Sequence, residues 1–186
     1  MILPIYGYGQ PVLKKVGAVV DPDHPGLAEL IEDMWETMYH ADGVGLAAPQ
    51  IGKPLRIFVV DTVQIAEEGK EDEGIKQVFI NAEKIEEAGD PWAYEEGCLS
   101  IPDVRGDVER PPTLKLRFQD ESFETHERLF TGMNARVIQH EYDHIEGVLF
   151  TELLKPIKRR LIRRRLENIR KGKVKVDYKM KFLTYA

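Results

Sequence analysis

Between residues 55 and 130 the apolar side chains fall at every second position, in short runs separated by Gly, Pro or Asp. On either side of that region they fall at every third and fourth position. A period of two marks a half-buried strand and a period of 3.6 an amphipathic helix, so the chain must combine both kinds of element. The strand-like runs are 55–60, 78–85, 104–108, 114–118 and 123–130. Helical spacing covers 26–40, where Leu27, Leu30, Ile31, Met34, Trp35 and Met38 share a face, and a segment from 131 or 132 to a stop at Gly147. A third helix is read from 156 to about 171, apolar on one side and basic on the other, followed by alternation over 173–180 that predicts a final strand. Strands interrupted by helices without regular alternation predict an α+β fold. We expect antiparallel sheets packed around a central helix, with an N-terminal helix and a basic C-terminal helix.

The chain has 186 residues, 42% of them hydrophobic, which is enough to bury a core as one catalytic domain over 1–186, with 155–186 as a basic helix-and-strand extension. The net charge of -6 conceals an asymmetry. From Lys155 onward 13 basic residues face two acids, whereas the preceding 154 residues hold 13 basic residues and 30 acids. Only the C-terminal segment is therefore suited to a polyanion. No apolar run is long enough to span a membrane, the opening residues lack the basic and apolar regions of a signal peptide, and the single cysteine, Cys98, fits a reducing compartment. A cytoplasmic location without membrane or DNA contact is expected. The acidic stretch within 64–76 is too polar to pack and should be a solvated loop.

The chemistry is concentrated at His140-Glu141-Tyr142-Asp143-His144, an H-E-x-x-H pattern inside the second helix. Residues four apart lie one turn above each other, so two imidazoles can converge on one ion while Glu141 handles protons beside it. A catalytic centre of this kind takes a third protein ligand and leaves a position open. The metzincin continuation fails, because Phe150 stands where its third histidine belongs. Glu167, in the C-terminal helix, and Cys98, in Glu96-Gly97-Cys98-Leu99-Ser100, remain as candidates.

Three segments are decisive when taken together. Gly43-Val44-Gly45-Leu46-Ala47-Ala48-Pro49-Gln50, Glu96-Gly97-Cys98-Leu99-Ser100 and Gln139-His140-Glu141-Tyr142-Asp143-His144-Ile145-Glu146-Gly147 resemble, in order and at every fixed position, the three signature motifs of peptide deformylases. The resemblance covers roughly residues 10 to 155, and the helical extension also looks like the bacterial enzymes. It implies a metal-dependent hydrolase that removes the formyl group from the N-terminal formylmethionine of nascent chains and releases formate. It further implies one metal on Cys98, His140 and His144, usually Fe2+, with Zn2+, Ni2+ or Co2+ as substitutes. Glu141 becomes the general base and acid, and the Gln50 side-chain amide and the Leu99 backbone N–H become donors to the developing oxyanion.

Gly43 and Gly45 lack Cβ atoms, so an extended substrate backbone can approach there as an added strand. Arg105 stands where the family contacts the substrate backbone. Val44, Met133, Val137 and Tyr94 are candidates to line an apolar slot for methionine, whereas Arg136 occupies a place where an apolar wall is expected. Asp143 or Glu96 could pair with Arg110 and hold the ligands in orientation. The arginines of the third helix suit a transient contact with ribosomal RNA. A zinc endopeptidase and a non-catalytic ribosome-binding module are the rival readings.

Overall fold

The computed structural model describes residues 1–183, so the end of the extension read over 155–186 lies outside the described residues. In chain order the elements are β1 (Ile5–Tyr6), α1 (Leu27–His40), β2 (Gly45–Ala47), β3 (Ile57–Asp61), β4 (Lys76–Ala88), β5 (Trp92–Cys98) and β6 (Ile101–Arg110). They are followed by β7 (Thr113–Gln119), β8 (Thr125–Thr131), α2 (Gly132–Ile145), α3 (Pro156–Arg170) and β9 (Met180–Lys181). Strands β2, β3, β4, β7 and β8 form one antiparallel sheet in that order, β5 and β6 form an antiparallel hairpin, and β1 pairs with β9 in parallel.

The five-stranded sheet is covered on both faces. Along β3 every residue is buried: Ile57 and Val59 point into a core shared with Ile31, Met34 and Met38 of α1, while Phe58 and Val60 point into one shared with Ala135, Ile138 and Ile145 of α2. That second core stacks Phe58, Phe79, Phe118 and Phe130, with Phe58 and Phe79 centroids 4.8 Å apart. Burying one such ring contributes about 1.5–3 kcal/mol. A third core lies under the hairpin, where Ile101, Val104 and Val108 meet Leu149, Phe150 and, from α3, Ile162 and Ile169. Helix α2 packs against β2, β3, β7 and β8, and its start follows β8 directly. At its end Gly147 takes φ 74°, with the Lys14 carbonyl oxygen 2.6 Å from where a Cβ would sit.

Several expectations need correction. The strand read over 173–180 exists only at Met180–Lys181; the preceding residues have no ladder partner among the described residues, although half-buried Val174, Val176 and Tyr178 alternate with exposed Lys173, Lys175, Asp177 and Lys179. The alternation there records an extended chain lying along the body, not a sheet. The run 123–130 starts late, because Phe123 has φ 59° in the turn before β8 and packs into the first core. Strands β1, β2 and β5 escaped the pattern: β1 and β2 have two and three residues, and β5 lacks apolar alternation, with Ala93, Tyr94 and Glu95 exposed in succession and Glu96 buried. The acidic stretch is a connection between β3 and β4 with two short 3-10 turns and no buried residue in either. No helix among the described residues is long and apolar enough to cross a membrane.

Candidate active site

Helix α2 sets His140 and His144 one turn apart, with ring centroids 5.1 Å from each other. Cys98 arrives from the opposite side, at the last residue of β5. The pairing of β5 with β6 shifts register between Glu96 and Cys98, and irregularities of this kind re-aim side chains beside active sites. The sulfur Sγ lies 3.4 Å from His144 Nε2, and one donor atom from each of Cys98, His140 and His144 lies within 4.8 Å of the others. Glu167 is elsewhere, half-exposed and 3.5 Å from Lys171 Nζ.

The surroundings prepare these three for a cation. Glu96 Oε1 accepts from His140 Nδ1 at 2.9 Å, which leaves Nε2 with its lone pair. Burial, helped by the nearby charge of Arg110, lowers the His144 pKa well below its ordinary value, so its imidazole is neutral. Its Nδ1 and the Glu141 Oε2 are buried and have no hydrogen-bond partner among the described residues. A thiol, two imidazoles and an orphaned carboxylate oxygen in one pocket fit a divalent ion with an open position.

Glu96 is the hub of the support. Arg110 donates to it through Nε at 2.7 Å and Nη2 at 3.0 Å, Arg136 Nη1 at 2.9 Å, and Arg110 Nη1 reaches Asp143 at 2.8 Å. Burial disfavours the charge on Glu96, but the bonds from His140 and Arg110 outweigh it and hold the carboxyl well below the usual range. Arg110 therefore pairs with both Glu96 and Asp143. Arg136 is 2% exposed: it donates to the Val108 and Trp92 carbonyls and lies 4.4 Å over the Trp92 ring. The arginine that stood where an apolar wall was expected thus ties α2 to the β5–β6 hairpin.

Glu141 is 4% exposed, and burial pushes its carboxyl up to about 7. Gly45, on edge strand β2, explains how the carboxylate fits. A Cβ on Gly45 would lie 2.7 Å from Glu141 Oε1, so the missing side chain makes room for the glutamate. At Gly43 the corresponding space belongs to Leu99 Cδ1, 2.8 Å from a Cβ position. These two glycines therefore make room for contacts within the protein, and both also line the cleft. Gln50 is buried; its Oε1 accepts from the Ala47 N–H at 2.9 Å, and its Nε2 points at Ser100 Oγ, 3.2 Å away, and Cys98 Sγ, 3.5 Å away.

A cleft of about 570 Å³ opens over this centre. Its walls include Gly43, Val44, Gly45, Gln50, Tyr94, Cys98, Leu99, Arg105, Met133, Val137, His140 and Glu141. His144 sits behind them, 1% exposed. The sequence reading missed one wall, Lys175–Tyr178, because nothing local announces where an extended tail will lie.

The polypeptide deformylase family model matches residues 2–160. The chain belongs to the peptide deformylase family. A peptide deformylase of Christiangramia forsetii is 53% identical over 189 aligned positions, covering 98% of this chain and 96% of that one. One from Flavobacterium johnsoniae is 54% identical with the same coverage. The crystal structure of the peptide deformylase from Thermus thermophilus superposes with a TM-score of 0.82 at 36% identity, covering 92% of this chain and 99% of that one. Membership makes the chain an enzyme, a hydrolase of protein biosynthesis, and the deformylases are metal-dependent. The rival reading as a non-catalytic binding module is set aside.

Proposed function

We propose that this deformylase removes the formyl group from N-formylmethionyl nascent peptides, with a divalent ion held by Cys98, His140 and His144. The observation that carries this reading is the meeting of those three donor groups within 4.8 Å, on a helix that also brings in a buried Glu141 with one partnerless oxygen. When bound, the ion would lower the pKa of a water molecule and polarise the formyl oxygen. The thiolate and imidazole set suits Fe2+, with Zn2+, Ni2+ or Co2+ as substitutes.

Glu141 takes the proton from the attacking water; as the C–N bond breaks, it returns that proton to the amine nitrogen, leaving formate and a free N-terminus. A carboxyl held near 7 is matched to both transfers. Gln50 Nε2 and the Leu99 N–H donate to the oxygen that gains charge when the tetrahedral carbon forms. Val44, Met133, Val137 and Tyr94 line the slot for methionine, and Arg105 flanks the peptide. Among the described residues strand β2 leaves one edge unpaired, and along Gly43–Gly45 a peptide can add as a strand. Residues 1–186 act as one catalytic domain in the cytoplasm, and the arginines of α3 make a transient contact with ribosomal RNA.

The test is formate release from a formyl-Met peptide by protein purified without oxygen. Wild-type protein should release formate, and Glu141→Ala should be slower by roughly 10²–10⁴-fold. No release by the metal-loaded wild type would overturn the reading. Peptide-bond cleavage surviving Cys98→Ala would instead favour an endopeptidase.

A further inference from the structure

We propose that Tyr178 is a positioning residue of the active site: its hydroxyl, donated to the Leu99 carbonyl at 2.7 Å, holds the β5–β6 turn so that the Leu99 N–H faces the formyl oxygen. The inference rests on the reading of Leu99 as an oxyanion donor given above.

Leu99 and Ser100 are the two residues between the paired Cys98 and Ile101, so the turn that carries the proposed donor is also the turn that aims the cysteine. Three hydrogen bonds reach it from outside the hairpin. Gln50 Nε2 donates to Ser100 Oγ at 3.2 Å, the Tyr8 N–H donates to the Ser100 carbonyl at 2.8 Å, and Tyr178 takes the Leu99 carbonyl. Tyr8 and Tyr178 come from opposite ends of the chain, which are clamped together where the Ile5 and Gly7 N–H groups donate to the Lys179 and Lys181 carbonyls at 2.9 Å each. The two-stranded β1–β9 sheet is thus a brace for the catalytic turn. The ring of Tyr178 packs against the first core, and burial keeps its hydroxyl protonated, so it remains a donor. A carbonyl fixed on Leu99 limits rotation about its backbone and with it the direction of its N–H.

The test compares wild type, Tyr178→Phe and Tyr178→Leu, all loaded with Ni2+, in steady-state formate release. Exchange of the Leu99 and Ser100 amides with solvent is followed in the same three proteins. Loss of the hydroxyl should lower kcat about threefold to tenfold in both variants, the range that one net hydrogen bond allows. For Tyr178→Phe the KM and bound nickel should stay as in wild type and the melting temperature should fall by no more than about 2–4 °C, the worth of one net hydrogen bond, while the turn amides exchange faster by a similar factor. Tyr178→Leu should add a rise in KM, because it also removes the cleft wall. An unchanged kcat and unchanged exchange in Tyr178→Phe, or an effect confined to KM, would overturn the proposal. Failure of the wild type to release formate would refute the deformylase reading instead, and the amide exchange would still report whether the brace exists.

Discussion

At the scale of single residues, the site depends on what its neighbours leave out as much as on what they contribute. Gly45→Ala would set a methyl group 2.7–2.9 Å from the Glu141 carboxylate, closer than a real Cβ contact. The glutamate must then move, and we expect kcat for formate release to fall roughly a hundredfold, the scale of one misplaced general base, with the melting temperature nearly unchanged. Retained activity would show that the carboxylate does its work from elsewhere. Glu96 presents the opposite case, a charge that cannot be removed alone. Glu96→Ala leaves Arg136, 2% exposed at its side chain, without its carboxylate and Arg110, 7% exposed, with Asp143 alone, and should cost about 3–5 kcal/mol in denaturant unfolding. Because its carboxyl titrates lower in the folded protein than the ordinary 4.5, the stability it contributes is complete above that value and is lost as the pH falls toward the folded value. Wild-type stability should therefore drop in acid below about 4.5, and Glu96→Gln should flatten that part of the profile.

At the scale of elements, α3 separates two roles that its sequence runs together. Ile162 and Ile169 are 3% and 2% exposed and seat the helix on the third core, whereas Ile157 and Leu161 are 73% and 72% exposed. Ile162→Ala or Ile169→Ala should cost about 2–5 kcal/mol, and Ile157→Ala or Leu161→Ala less than about 0.5 kcal/mol, as read from chemical unfolding curves. The amphipathic pattern of the helix was legible, but its spacing alone makes Ile157 as good a core candidate as Ile162. Only the body it rests on tells them apart. The same holds for β3, whose continuous apolar run becomes intelligible once α1 and α2 are seen to cover its two faces.

At the scale of the whole molecule, the centre is assembled from a helix, a hairpin and an edge strand that are packed on cores of their own. The fold should therefore survive loss of the ion. Chelation should abolish formate release and lower the melting temperature without unfolding the protein at about 25 °C, and added Ni2+ should restore both; at about 100 times its Kd an ion contributes about 2.7 kcal/mol. Unfolding on chelation would make the metal a structural requirement.

The sequence by itself determined the helices and most strands, since periodicity is a local consequence of which face is buried, and it brought His140, Glu141 and His144 together, because four residues make about one helical turn. It also singled out Cys98, Gln50 and the glycines through a family resemblance. Distances between segments far apart in the chain belong to tertiary structure alone. The approach of Cys98 to His144, the Glu96 hub that recruits Arg136, and the path of the C-terminal strap past Leu99 are set by how cores and termini pack. No local pattern encodes those contacts, because each is fixed by the summed burial of residues that lie nowhere near it in sequence.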